Sequence, residues 1–135
     1  MPKWSILICA SFLRRLKRLR SELSDAYKRL DAKWDEITEC LKALPISCSV
    51  SYTFSTGDYG PDFDCLVWRK WNGTKRICIE SHSFCPNNPY SDFEVKITPF
   101  DEWSGEQRIC MLEHVPGLFE AAAKATEQFI EKTKK

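Results

Sequence analysis

From Leu13 to Leu44 the large apolar side chains recur in steps of three and four: Leu13, Leu16, Leu23, Tyr27, Leu30, Trp34, Ile37, Leu41 and Leu44. That spacing keeps one side of an α-helix apolar, because residues three and four apart stack along the same face. Leu16, Leu23, Leu30, Ile37 and Leu44 are spaced by sevens, as in a coiled-coil seam, and Arg20 is the one polar residue on the companion row. Neither Pro nor Gly occurs between Lys3 and Leu44, and Pro45 ends the run. The pattern therefore predicts one helix of about 40 residues, about 60 Å long. The alternative is a break near Ser11 or Ser21 that lets two shorter helices fold back. A compact domain of this length has a radius of gyration of only about 14 Å, so an unbroken helix is expected to overhang it and to need a partner for its N-terminal half.

After Pro45 the period changes to two. Ile46, Cys48, Val50, Tyr52 and Phe54 alternate with Ser47, Ser49, Ser51 and Thr53, which predicts a strand with one dry and one wet face. A loop with Gly57, Gly60 and Pro61 leads to a second strand over Phe63–Trp71. Asn72-Gly73 suits a type I′ hairpin, since both central positions need positive φ. The implied register pairs Trp71 with Thr74 and Arg69 with Arg76, and makes Leu66, Trp68, Ile77 and Ile79 one dry patch. A loop from His82 to Ser91 follows, and Phe93, Val95 and Ile97 alternate with Glu94, Lys96 and Thr98 in a fourth strand. Ser104 with Gln107 forms a capping-box pair that opens a short helix from about Gly105 to Glu113. Pro116 opens another, with Leu118, Phe119, Ala122, Phe129 and Ile130 on one side and Lys132, Lys134 and Lys135 near its negative end. The expected fold is α+β and one domain over residues 1–135: a long N-terminal helix (1–44), a four-stranded antiparallel meander in order 1-2-3-4 (46–98) and a C-terminal helical segment (104–133), with the helices on one face of the sheet.

Composition adds charge asymmetry to this outline. The 135 residues are 43% apolar and 29% charged, a balance typical of folded globular chains. Net charge is +1, but residues 1–20 hold six basic side chains and no acid, leaving the rest of the chain at −5. One end thus carries a field that attracts phosphate, anionic lipid or an acidic partner. Seven cysteines, an odd number with several at apolar positions, fit reduced and mostly buried thiols better than a secreted disulfide scaffold. The apolar stretch 5–13 has its charge cluster after it, the wrong order for a signal peptide, and bulky Ile8 before Cys9 argues against lipoprotein cleavage. No run reaches the roughly 18 to 20 apolar residues that span a bilayer. The expected location is cytoplasmic.

Candidate chemistry is sparse. His82 and Cys85, with Cys110 and His114 four apart on a predicted helix, form the one ligand set with spacing suited to tetrahedral zinc. The simpler reading leaves Cys110 buried and the other three in ordinary structural places. Cys85 with His82 or His114 is the only nucleophile and base pair to consider, and no nucleophile elbow accompanies it. Asp58, Asp62 and Asp64 do not follow a calcium-loop spacing. The five glycines are scattered, so no phosphate cradle exists. No catalytic residue, no small-molecule substrate and no cofactor beyond that zinc set are inferred.

Two basic features remain. Arg69, Lys75 and Arg76 crowd the hairpin with Lys70, and Arg14, Arg15, Lys17 and Arg18 line one side of the N-terminal helix opposite Ile8, Phe12, Leu13, Leu16 and Leu19. Both are candidate anion-binding groups for nucleic acid or an anionic surface. The leading expectation is a non-enzymatic interaction or adaptor module, one that dimerises or docks a protein partner through Leu13, Leu16, Leu23 and Tyr27, with Arg20 setting register.

Overall fold

The computed structural model describes residues 3–56, 62–84 and 93–134, and the side chains of residues 3–8, 84 and 93 are not among those described. Helix α1 runs unbroken over Lys3–Lys42. It stops before Pro45, whose ring excludes the helical conformation from the residue ahead of it. No break occurs at Ser11 or Ser21. The chain divides into two compact units, residues 1–36 and 37–135. In the first, large side chains are exposed from Phe12 to Tyr27, whereas Trp34 is buried.

The second unit holds an antiparallel sheet of β1 (Val50–Thr56), β2 (Phe63–Trp71), β3 (Thr74–Phe84) and β4 (Phe93–Pro99), in order 1-2-3-4. The hairpin is as the turn chemistry requires: Asn72 has φ 50° and Gly73 φ 88°, and Trp71 pairs with Thr74, Trp68 with Ile77 and Leu66 with Ile79. Asn tolerates this left-handed region and Gly has no Cβ to resist it.

Strand β3 runs on through His82 to Phe84, where a loop was expected to begin, and three further expectations change. Strand β1 begins at Val50, not Ile46, because the Lys75 Nζ donates to the carbonyl oxygens of Ile46 and Cys48 and so holds that segment as a non-strand lead-in. Second, β1 does alternate between covered and exposed positions, but β2 does not. Cys65, Leu66, Val67 and Trp68 are all buried, and so is Cys78 beside Val67, so both faces of the central strands are covered. Third, the six cysteines among the described residues are free, and of these Cys65 and Cys78 are buried, whereas Cys9, Cys40, Cys48 and Cys110 are exposed where mostly buried thiols were expected. Cys48 lost its inward position when the strand began at Val50, four residues later than expected, and Cys40 lies off the apolar row of α1.

Helix α2 (Gly105–Cys110) opens with the capping box: the Gln107 N–H donates to Ser104 Oγ at 3.1 Å and the Ser104 N–H to Gln107 Oε1 at 2.9 Å. Its expected last turn tightens into a 3-10 segment, Met111–His114, before α3 (Val115–Thr133). Trp103 anchors the approach, donating its indole N–H to the Thr98 carbonyl at 2.9 Å and packing edge-on against Phe100. Helix α3 packs against β1. The contact is close at Gly117, where an added Cβ would come within 2.5 Å of the Tyr52 ring. Leu118 and Ala122 are buried there, but Phe119, Phe129 and Ile130 are exposed. Phe129 lies two turns beyond Ala122 and lines a small cleft with Pro45, Ile46 and Cys48 instead of reaching the sheet.

Candidate functional site

Helix α1 presents the largest group of exposed apolar side chains among the described residues. Phe12, Leu13, Leu16, Leu19, Leu23 and Tyr27 are each 40–58% exposed, against 1% for Trp34 and Leu41 farther along the same row. At 100° per residue the six fall within an arc of about 120°. Four of the six were legible as a heptad row. Phe12 and Leu19 stand outside that row and widen it, on the side that the helical wheel of the sequence sets opposite the cations.

Arg14, Arg15, Lys17, Arg18 and Arg20 are exposed on the same stretch. Among the described residues none of the five is ion-paired. Arg15 and Lys17 lie about 100° to either side of Leu16, Arg14 and Arg18 lie behind, and Arg20 falls inside the apolar arc, between Tyr27 and Leu13. The arrangement combines unsatisfied apolar area with a free positive field.

The hairpin cations differ. The Arg69 guanidinium donates to Glu80 at 2.9 Å, Arg76 pairs with Asp101, and Lys75 is occupied by the Ile46 and Cys48 carbonyls. Arg69 does face Arg76 across the strands, and the two carboxylates offset that repulsion. These three side chains tie the hairpin to the β1 lead-in and to the turn that follows β4, which leaves little charge for an external anion.

The cysteine and histidine set is not assembled. His82 pairs with Phe63 and stacks on its ring at 4.3 Å, with Nε2 3.2 Å from Glu80 Oε1. His114 stacks on Phe54 at 4.9 Å and lies 6.1 Å from the Tyr52 ring. Phe63 points to the same side as Cys65 and Val67, while Tyr52 pairs with Leu66 on the other side. Because side chains alternate along a strand, the two histidines occupy opposite faces of the sheet. Cys85 lies outside the described residues, and among those described no three His, Cys, Asp or Glu side chains converge as a metal cage.

One concavity escaped the sequence reading, since its walls come from distant segments. A cleft of about 340 Å³ lies between Asp64 and Ser81 of the sheet and Ser104, Glu106 and Cys110 at α2. Neither histidine lines it, and the groups beside the Cys110 thiol there are the carboxylates of Asp64 and Glu106, which do not favour a thiolate. Burial raises the Cys78 thiol above its ordinary value of 9.0, with Glu80 adding to the shift and Arg69 and Arg76 opposing it, so that thiol is inert as a nucleophile at neutral pH. No helix among the described residues is long and apolar enough to cross a membrane. Comparison with family models, curated proteins and solved structures finds no match for this chain.

Proposed function

We propose that this protein is a non-enzymatic interaction module whose binding surface is the exposed face of α1. The observation that carries the reading is the row of six large apolar side chains left in solvent on an unbroken helix. Full burial of such side chains stabilises by about 1.5–3 kcal/mol each, so leaving them half exposed forgoes about 5–9 kcal/mol in all, a deficit that docking removes. The reading also suits a cytoplasmic protein, since nothing in it requires oxidised cysteines. A second form of it, self-association, is favoured by the seven-residue spacing of Leu16 and Leu23 with Leu13, Arg20 and Tyr27 on the companion row. There Arg20 would sit in the seam and select register over strength.

The test is a double substitution, Leu16→Glu with Leu23→Glu. On a docking face the two changes leave the unfolding midpoint within the small range of surface substitutions, about 0.5 kcal/mol each. If the face were core in the free chain they would unfold the protein, and the reading would be lost.

A further inference from the structure

We infer that residues 9–20 of α1 form a seat for an anionic lipid surface, with the helix lying in the headgroup plane. This rests on the reading of the exposed face as the binding surface, and it names what that face takes.

The apolar arc is wide. Between Phe12 and Leu19 it spans about 120°, whereas Leu23 and Tyr27 occupy only about 40°. A two-stranded seam uses the narrow row alone and leaves flanking positions polar. Phe12 and Leu19 are such flanking positions, and both are exposed. A planar apolar medium can cover the whole arc at once.

Charge points the same way. From Cys9 to Arg20 the helix has five cations and no acid, and the first acid, Glu22, comes where the arc narrows. Arg15 and Lys17 flank the arc, so their alkyl stems can run along the apolar boundary while their heads meet lipid phosphates. Arg14 and Arg18, on the far side, add to the field that draws the helix to a negative leaflet. Twelve residues make about 18 Å of helix, enough to lie along a surface.

Other occupants use only part of this surface. A parallel second copy would set Arg20 against Arg20 and bring two basic blocks side by side. A full-length antiparallel pair would need Trp34 and Leu41, which are already buried. A polyanion such as nucleic acid would use the cations and leave the apolar arc in water.

The test is co-sedimentation of the full chain with vesicles of equimolar phosphatidylcholine and phosphatidylserine, and with phosphatidylcholine alone, at low and high salt. Binding to the mixed vesicles should exceed that to the neutral ones by more than tenfold and fall with salt. Arg15→Gln with Lys17→Gln should weaken it roughly 25-fold, about fivefold for each charge removed. Leu16→Glu with Leu19→Glu should abolish it. No binding to the mixed vesicles at low salt overturns the inference. If the mass in solution is then that of a dimer, the face takes a second copy and the docking reading survives. Undiminished binding by Leu16→Glu with Leu19→Glu would also overturn it, since charge alone would then be at work. If that variant unfolds, the face is core and both readings fail.

Discussion

Trp34 and Leu16 lie on one helical side, 18 residues apart, and the structure assigns them opposite energetic weights. Trp34 is 1% exposed and Leu16 58%. Truncating a fully buried Trp to Ala removes its transfer free energy and leaves a cavity, about 3–5 kcal/mol together. Truncating an exposed Leu changes stability by about 0.5 kcal/mol or less. In a chain of this size a loss of 1 kcal/mol lowers the melting temperature by about 4 °C, so Trp34→Ala should melt about 12–20 °C earlier and Leu16→Ala about 2 °C or less. Differential scanning calorimetry of the two variants and wild type, at one protein concentration, reads both. Equal losses at the two positions would refute the reasoning, for they would mean that the row is buried or exposed along its whole length.

Three further outcomes are expected. Gly117→Ala should destabilise by about 1–3 kcal/mol in urea titrations, since the new methyl drives the Tyr52 ring from α3, whereas a loss below about 0.3 kcal/mol would show that the ring moves freely. Glu80→Gln should cost about 1–2 kcal/mol by leaving the half-buried Arg69 beside Arg76 without its carboxylate, and a neutral effect would mean the pair is only a surface contact. In alkylation followed by mass spectrometry Cys9, Cys40, Cys48 and Cys110 should label fast and Cys65 and Cys78 only on unfolding; because the Cys78 pKa is raised in the fold, its contribution is constant below pH 9.0 and stability falls as pH rises above that, the reverse of a depressed thiol.

What was legible in the sequence was local. The Asn72-Gly73 turn fixed the register of β2 with β3 pair by pair, and Ser104 with Gln107 marked the start of α2, because each signal acts within four residues. The long helix was legible from its uninterrupted spacing. What failed depended on distant chain segments. The start of β1 is set by Lys75, 29 residues from Ile46, and the covering of Cys65 and Val67 is a tertiary event that no alternation announces. The same holds for the candidate sites. The exposed face of α1 could be read as heptad positions, but which part of it stays uncovered depends on where burial begins, at Trp34. His82 and His114 were close in type and spacing to a ligand set, yet strand pairing sends them to opposite faces. The hairpin cations resemble an anion site in the sequence, but Glu80 and Asp101 neutralise two of them in the fold.

The central claim is that the face of α1 from Phe12 to Tyr27 is a binding surface. Hydroxyl-radical footprinting of the free chain and of the chain with phosphatidylserine-containing vesicles tests it side chain by side chain. The account predicts fast oxidation of Leu16, Leu23 and Tyr27 and protection of Trp34 and Leu41 in the free monomer, followed by protection of Phe12, Leu13, Leu16 and Leu19 on the vesicles. Protection of Leu16 and Leu23 already present in the free monomer would contradict it.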